Sequence, residues 1–152
     1  DKTKILELGS GCGLTGISLA ATLVKLIALT DQATMLPHLW KNVKRNLDRN
    51  LISSKVLVVE LAWGEGIDRD ILSEHWDYII ASDCIYNEFI VNAFVETLAR
   101  LCNHNKFAKR IHEESVQNDN DERIKKIQPT IAIIAMELRS EIVHLEFLEE
   151  MK

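Results

Sequence analysis

The residues best suited to chemistry lie near the start of the chain, in the segment ELGSGCGLTG. Glu7 ends a short apolar run, and the glycines Gly9, Gly11, Gly13 and Gly16 follow it. Glycine permits a tight turn and lets the backbone approach a ligand, and a helix that begins after the turn directs its first N–H groups toward that ligand. The segment therefore predicts a loop that holds a nucleotide-type ligand beside a carboxylate.

Two binding patterns fit this loop, and a purely structural turn is a third interpretation. Gly11, Gly13 and Gly16 match the G-x-G-x-x-G of dinucleotide sites. From Glu7 onward the segment also matches E-x-G-x-G-x-G, and in this it resembles the first motif of class I S-adenosylmethionine-dependent methyltransferases. A pyrophosphate is repelled by a carboxylate, whereas the ammonium and sulfonium of S-adenosylmethionine are attracted to one. Glu7 therefore favours S-adenosylmethionine.

Three later residues follow predicted strands and complete the expected pocket. Asp31 comes about twenty residues after the loop, where a carboxylate can accept both ribose hydroxyls, and it is also suited to cap the next helix. Trp63 offers an indole to stack on adenine, with burial in the core as the alternative. Ser82 ends the fourth predicted strand and offers a backbone contact to the base. Ligands of open α/β sheets lie over the carboxyl ends of the strands, so we expect one shared pocket.

The segment SDCIYNE follows the fourth predicted strand and faces the expected position of the methyl group. Asp83 and Tyr86 form a D-x-x-Y pattern there. Methyltransferases that act on the amino group of adenine or glutamine usually carry N-P-P-[YF] at this place, which this chain lacks. A helix-capping role is the alternative interpretation of Asp83.

The order of the motifs resembles methyltransferase family 16, the seven-β-strand protein lysine methyltransferases that include the methyltransferase-like 21 group. The shared runs are E-L-G-S-G-C-G-L-x-G-I, T-D after strand two, L-x-W-G and S-D-C-I-Y. Two further segments, YNEFIVNAFVETL and LRSEIVHLEFLEE, look most similar to the fungal ribosomal lysine methyltransferase 5 branch. The resemblance covers nearly the whole chain and implies a protein substrate that presents a lysine, with a ribosomal or other translation-related protein as the candidate.

The resemblance also implies roles for individual residues. It implies that Asp83 and Tyr86 face the substrate lysine. Glu137 and Arg139 resemble the family's E-x-R, with a surface ion pair as the alternative. The residues implied to contact S-adenosylmethionine are Gly9, Ser10, Gly11, Asp31, Trp63 and Ser82.

The chain departs from the family in two respects. Ala62 stands where many relatives have aspartate in L-D-W-G, so any role of that carboxylate is absent. The family's N-terminal segment and its final antiparallel strands have no counterpart in the sequence. We therefore expect a chain that is truncated at both ends.

The hydrophobic pattern places these motifs on alternating strands and helices. Such alternation predicts an α/β fold, a doubly wound, Rossmann-like, mostly parallel sheet with helices on both faces. The predicted strands are Ile5–Leu8, Val24–Thr30, Lys55–Glu60, Asp77–Ser82 and Thr130–Met136. The predicted helices are Leu14–Leu23, Leu36 to about Asn50, Asp68–Ser73, Glu88–Cys102 and Ile142–Met151.

The composition predicts a single domain over residues 1–152. Hydrophobic residues make up 47% and the net charge is -5, which argues against a protein that coats nucleic acid.

No run of 18 apolar residues or secretory signal is visible, so no membrane association is expected. The three cysteines and five histidines lack metal-ligand spacing, so we expect no metal, and reduced thiols in a cytoplasmic or nuclear protein. Residues 104–128 are polar and predict a partly disordered insertion, or a substrate-gripping loop.

The expected chemistry is an in-line displacement in which the protein mainly positions the two partners. A free lysine has a pKa near 10.4, so about one amine in a thousand is neutral near pH 7, and a partly desolvated channel lowers that pKa. We expect Asp83 to orient the amine and Tyr86 to border the channel. A protein lysine methyltransferase is the leading interpretation. The alternatives are a small-molecule or RNA methyltransferase, an NAD-type oxidoreductase and a non-catalytic binding module with a methyltransferase fold.

Overall fold

Strands and helices alternate along the chain, as the hydrophobic pattern predicts. The computed structural model describes residues 3–22, 24–116 and 129–152. The strands are β1 (Lys4–Leu8), β2 (Leu26–Asp31), β3 (Val56–Glu60), β4 (Tyr78–Ser82) and β5 (Ile131–Ala135). The helices are α1 (Leu14–Ala20), α2 (Leu36–Asn46), α3 (Arg49–Lys55), α4 (Arg69–Leu72), α5 (Glu88–Val116) and α6 (Glu141–Glu150).

The five strands form one parallel sheet in the order β3-β2-β1-β4-β5. β2 pairs with one side of β1 and β4 with the other, so the direction of winding reverses between β1 and β4. Ligands of doubly wound sheets bind at such a reversal, outside the carboxyl ends of the strands. The predicted α/β fold is confirmed, and the segments that follow β1, β2, β3 and β4 meet at one edge of the sheet.

Neighbouring residues of β1 belong to different hydrophobic cores because side chains alternate across a strand. Ile5 joins the core formed with α1, α2 and α3. Leu6 and Leu8 join the core formed with α4, α5 and α6. Complete burial of one such side chain contributes about 1.5–3 kcal/mol. Helices therefore cover both faces of the central strand β1.

Asp48 ends the second predicted helix earlier than expected. α2 stops at Asn46, and the Asp48 carboxylate accepts hydrogen bonds of 2.8 and 2.9 Å from the backbone N–H groups of Asn50 and Leu51. An aspartate in this position satisfies the free donors of a new helix. The separate helix α3 therefore begins at Arg49, which the periodic pattern did not predict.

Helix α5 is longer than predicted. It continues past Cys102 to Val116, so the backbone of residues 104–116 is helical where the sequence predicted a partly disordered segment. Residues 104–116 include two lysines, two glutamates, one arginine and one alanine, which are residue types that favour helix. The rest of the predicted insertion, residues 117–128, lies outside the described residues. None of the helices in the described ranges combines the length and hydropathy needed to cross a membrane.

Gly16 lies where α1 passes closest to the sheet. A Cβ added at Gly16 would collide with the side chain of Leu29 and the carboxylate of Glu7. Because this core is close-packed, we expect Gly16→Ala to lower the free energy of unfolding by about 1–3 kcal/mol, measured by urea denaturation. Gly66→Ala is the matched control, since a Cβ there meets nothing within 4 Å. Equal effects of the two substitutions would contradict this account.

Candidate active site

Glu7 is a buried carboxylate beneath the glycine loop, with only 2% of its surface exposed. Its Oε2 accepts a hydrogen bond of 2.7 Å from the Ser10 hydroxyl, and the carboxylate also accepts one from the backbone N–H of Gly16 in α1. Burial raises the pKa of Glu7, and the bonds from Ser10 and Gly16 oppose that rise. Glu7 therefore joins the end of β1, the loop and the first helix.

Backbone contacts to β2 fix the same loop from its other side. The N–H of Ser10 donates to the carbonyl of Thr30 at 2.8 Å, and the N–H of Gly11 donates to Oδ2 of Asp31 at 2.7 Å. The Thr30 hydroxyl in turn donates to the carbonyl of Glu7 at 2.6 Å. Gly11 has a φ of 55°, a left-handed conformation that glycine adopts without strain. The loop is thus held over the carboxyl ends of β1 and β2.

A cavity of about 490 Å³ opens beside this loop, at the edge where the strands end. Its size is typical of small-molecule sites. Residues from the loop, from the ends of β2, β3 and β4 and from the start of α5 form its wall. They are Gly9, Gly11, Asp31, Gln32, Met35, Leu61, Ala62, Trp63, Asp83, Cys84, Tyr86, Ile90 and Ala93.

The cavity gathers most of the residues that the sequence singled out. Those in its wall are Gly9, Gly11, Asp31, Trp63, Asp83 and Tyr86. Glu7, Ser10 and Ser82 are not part of that wall, and their cofactor contacts stay predictions. The structure places the Glu7 carboxylate below the loop, so the negative charge that a ligand meets comes from Asp31 and Asp83 instead. Glu7 supports the loop from beneath.

Trp63 combines the two roles that the sequence left open. Its ring packs edge-on against Phe94 of α5, with the ring centroids 5.0 Å apart and the planes at 78°. A Cβ added to Gly9 would lie 2.9 Å from the Trp63 ring and 2.8 Å from the Cys84 sulfur. Gly9 therefore leaves room for the indole, which is anchored in the core and forms one wall of the cavity.

Several wall residues had no motif to mark them. Gln32 and Met35 come shortly after Asp31, so the end of the second predicted strand already implied that they lie near the cavity. Ile90 and Ala93 lie three residues apart on α5, so the predicted helix implied that they share one face. Cys84 is buried, its sulfur lies 3.3 Å from the carbonyl oxygen of Leu8, and burial raises the pKa of its thiol to about 11. The thiol thus stays protonated and acts as an apolar wall.

Asp83 stands at the rim of the cavity in an unusual backbone conformation. Its φ is 55°, a left-handed value that aspartate tolerates better than most residues, and its N–H donates to the carbonyl of Ala135 at 2.8 Å. Oδ2 of Asp83 accepts a hydrogen bond of 2.6 Å from Nη2 of Arg139. Nε of Arg139 donates to Oε2 of Glu137 at 2.8 Å. The E-x-R residues are therefore connected to the D-x-x-Y residue, with Tyr86 exposed beside them.

The charges of the cavity suit a cationic nucleoside better than a dinucleotide. Asp31 and Asp83 contribute carboxylates, while neither lysine nor arginine occurs among the described residues of the wall. The Asp31 carboxylate already accepts from Gly11 and, through Oδ1, from the N–H of Gln32 at 2.8 Å. A carboxylate has about four acceptor positions, so Asp31 can still receive ribose hydroxyls. Within the described ranges, no cluster of three potential metal ligands occurs.

Comparison with known proteins gives a consistent result. The sequence profile described as lysine methyltransferase matches residues 1–130. EEF1A lysine methyltransferase 3 of Xenopus tropicalis is 31% identical over 65% of this chain and 42% of its own length. Protein N-lysine methyltransferase METTL21A of Danio rerio is 36% identical over 64% of this chain and 44% of its own length. The chain thus spans less than half the length of these curated relatives.

The fold is also found among solved structures. A putative methyltransferase from Bacillus halodurans superposes with a TM-score of 0.54 and covers 99% of this chain and 62% of its own. The two sequences are 14% identical, so the likeness concerns the fold alone.

The buried carboxylate of Glu7 predicts a specific dependence of stability on pH. Folding raises its pKa above the ordinary value of 4.5, so between 4.5 and the raised value the folded protein binds more protons than the unfolded chain. The contribution of Glu7 to the free energy of unfolding is therefore greatest below pH 4.5 and falls as the pH rises through that window. We expect the wild-type stability, relative to Glu7→Gln, to decrease above pH 4.5.

Urea denaturation at a series of pH values measures this difference. Glu60→Gln, which changes an exposed side chain at the end of β3, controls for the loss of one carboxylate. A constant difference between wild type and Glu7→Gln across the series would contradict the buried, protonation-sensitive position of Glu7.

Proposed function

The chain belongs to the lysine methyltransferase family, and on this premise we propose that it binds S-adenosylmethionine and transfers the methyl group to a lysine side chain of a protein. The observation that carries the proposal is the position of Asp83 and Tyr86 in the wall of the cavity beside the glycine loop. The loop provides a place for the cofactor, and the D-x-x-Y residues provide a carboxylate and a phenol where the acceptor amine must arrive.

The residues present fit S-adenosylmethionine. We assign the ribose to the Asp31 carboxylate and the adenine to the side of the cavity formed by Trp63, while the open position of Gly11 allows close approach to the loop backbone. When bound, the cofactor supplies a methyl group activated by a positively charged sulfur. The carboxylates of Asp31 and Asp83 leave the cavity with negative charge that favours such a cation.

In the proposed mechanism, Asp83 and Tyr86 receive the substrate side chain at the rim. The Asp83 carboxylate accepts a hydrogen bond from the amine and aims its lone pair into the cavity, and the exposed ring of Tyr86 borders the path. The sulfonium of a bound cofactor would supply the methyl group to the neutral amine held by Asp83 and would be left as a neutral thioether, while the surplus proton of the amine would pass to water. Positioning of the partners is the main contribution of the protein to the rate.

For the substrate we propose a ribosomal or other translation-related protein. Support comes from the name of one relative, EEF1A lysine methyltransferase 3, and from the resemblance of two segments to a fungal ribosomal lysine methyltransferase branch. Such a substrate is met in the cytoplasm, so we propose a cytoplasmic location, with the nucleus as the second compartment. The net charge of -5 agrees with a protein substrate rather than with broad binding to RNA.

Asp31→Asn is expected to weaken cofactor binding. The substitution keeps the shape of the side chain but replaces an acceptor oxygen and its charge, so we expect the affinity for S-adenosylhomocysteine to fall about tenfold to a hundredfold. Isothermal titration calorimetry measures the change, and Asp70→Asn, which changes an exposed side chain of α4, is the matched control. Unchanged affinity in Asp31→Asn, or preferential binding of NADH by the wild type, would contradict the assignment of the cavity.

The decisive assay tests transfer to protein. The full-length protein is incubated with methyl-labelled S-adenosylmethionine and an extract from cells that lack it. We expect label in a protein, recovered as methyllysine, and a loss of at least about tenfold in Asp83→Asn. Asparagine is chosen because it tolerates the left-handed backbone of Asp83. Tyr86→Phe distinguishes the hydroxyl from the ring. Label in RNA or in a small molecule would overturn the proposed substrate class.

A further inference from the structure

We propose that Arg139 is a positioning residue for the substrate lysine, acting through Asp83. Arg139 holds one oxygen of the Asp83 carboxylate, and its fixed positive charge favours the neutral, reactive form of the amine that Asp83 receives. The inference rests on the proposed function and answers a difficulty within it. A carboxylate beside a lysine raises the pKa of the amine, which works against methyl transfer.

The register of the sheet places Arg139 beside Asp83. Ser82 at the end of β4 pairs with Ala135 at the end of β5, and the N–H of Asp83 donates to the Ala135 carbonyl. Asp83 and Arg139 therefore follow neighbouring strands at the same edge, and Nη2 of Arg139 reaches Oδ2 of Asp83 at 2.6 Å. Among the described residues, Oδ1 of Asp83 has no hydrogen-bond partner, which leaves it for the amine.

Glu137 fixes the guanidinium from its other side. Its Oε2 accepts from Nε of Arg139 at 2.8 Å, so the arginine is held at two of its nitrogens by two carboxylates. The hydrogen bond that Arg139 donates to Glu137 and the negative charge of Asp83 raise the pKa of Arg139, which therefore remains charged. The group of Asp83, Glu137 and Arg139 carries a net charge of −1, enough to attract an ammonium but less than the two carboxylates would carry alone.

A contribution to stability does not account for this arrangement. The side chain of Arg139 is 56% exposed and that of Asp83 is 43% exposed. Ion pairs with this exposure stabilise a fold only weakly. The value of the arginine lies in the charge and orientation that it gives to a carboxylate at the rim of the cavity.

Other titratable groups lie in the wall of the same cavity as Asp83, and all of them are retained when Arg139 is substituted. They are Asp31 at the end of β2, and Cys84 and Tyr86 after β4. Glu137 after β5 also stays in place and keeps its charge. A change in the pH profile that follows substitution of Arg139 alone is therefore assigned to the arginine.

The test compares Arg139→Met with Arg139→Lys in the full-length protein. In Arg139→Met the net charge at the rim becomes −2, so we expect KM for the protein substrate to stay the same or fall while kcat decreases. The midpoint of the pH profile of kcat should move up by about half a pH unit, which is the size expected for one charge in a largely solvated site. At a fixed pH below the midpoint, kcat should therefore fall about threefold. Arg139→Lys should restore most of the shift.

Arg45→Met is the matched control, because it removes an exposed arginine from the last turn of α2. Calorimetry with S-adenosylhomocysteine should show equal affinity in wild type, Arg139→Met and Arg45→Met. A raised KM with an unmoved pH midpoint in Arg139→Met would assign the arginine a merely structural role and overturn the inference.

The outcomes separate this inference from the proposed function. If the wild type methylates lysine, Asp83→Asn does not, and Arg139→Met behaves as Arg45→Met does, only the role of Arg139 is overturned. If the wild type binds S-adenosylhomocysteine but transfers no methyl group to protein lysine, the proposed function and the inference fail together.

Discussion

The structure depends on the need to satisfy one buried carboxylate. Glu7 lies in the central strand of a sheet that is covered on both faces, so its charge is out of reach of water. A buried carboxylate must find hydrogen-bond donors, and Glu7 finds them in the hydroxyl of Ser10 and the backbone N–H of Gly16. The glycine loop supplies the first donor and α1 supplies the second. The hydrogen bonds of Glu7 therefore determine the position of the loop.

The other groups of the candidate site lie close together because the parallel strands that precede them end at one edge of the sheet. Each strand contributes one part of the site: the glycine loop follows β1, Asp31 ends β2, Trp63 follows β3 and Asp83 follows β4. Arg139, which follows β5, reaches across to Asp83. The chemical groups are far apart in sequence, yet the common direction of the strands brings them together. The lining of the cavity is the basis of the methyl transfer proposed above.

The sequence predicted the sheet well because its parallel strands are short apolar runs with clear ends. It missed α3 because the apolar spacing continues through Asp48, and only the hydrogen bonds of that aspartate show where one helix stops and the next begins. The face of the sheet on which Glu7 lies was predictable, because side chains alternate along a strand. Glu7 lies two residues after Ile5 and therefore faces α1, as Ile5 does. The contact between Asp83 and Arg139 was not, because no local pattern joins residues on different strands.

The state of the cysteines has a consequence for chemical labelling. At pH 7 a thiol with a pKa of about 11 is ionised in about one molecule in ten thousand, so Cys84 is protected by both burial and protonation. Cys12, in contrast, is exposed and stands within the glycine loop between Gly11 and Gly13. Thiol-reactive dyes will therefore mark Cys12 ahead of Cys84. The protein carries a natural attachment point for a fluorescent reporter next to its candidate cofactor site.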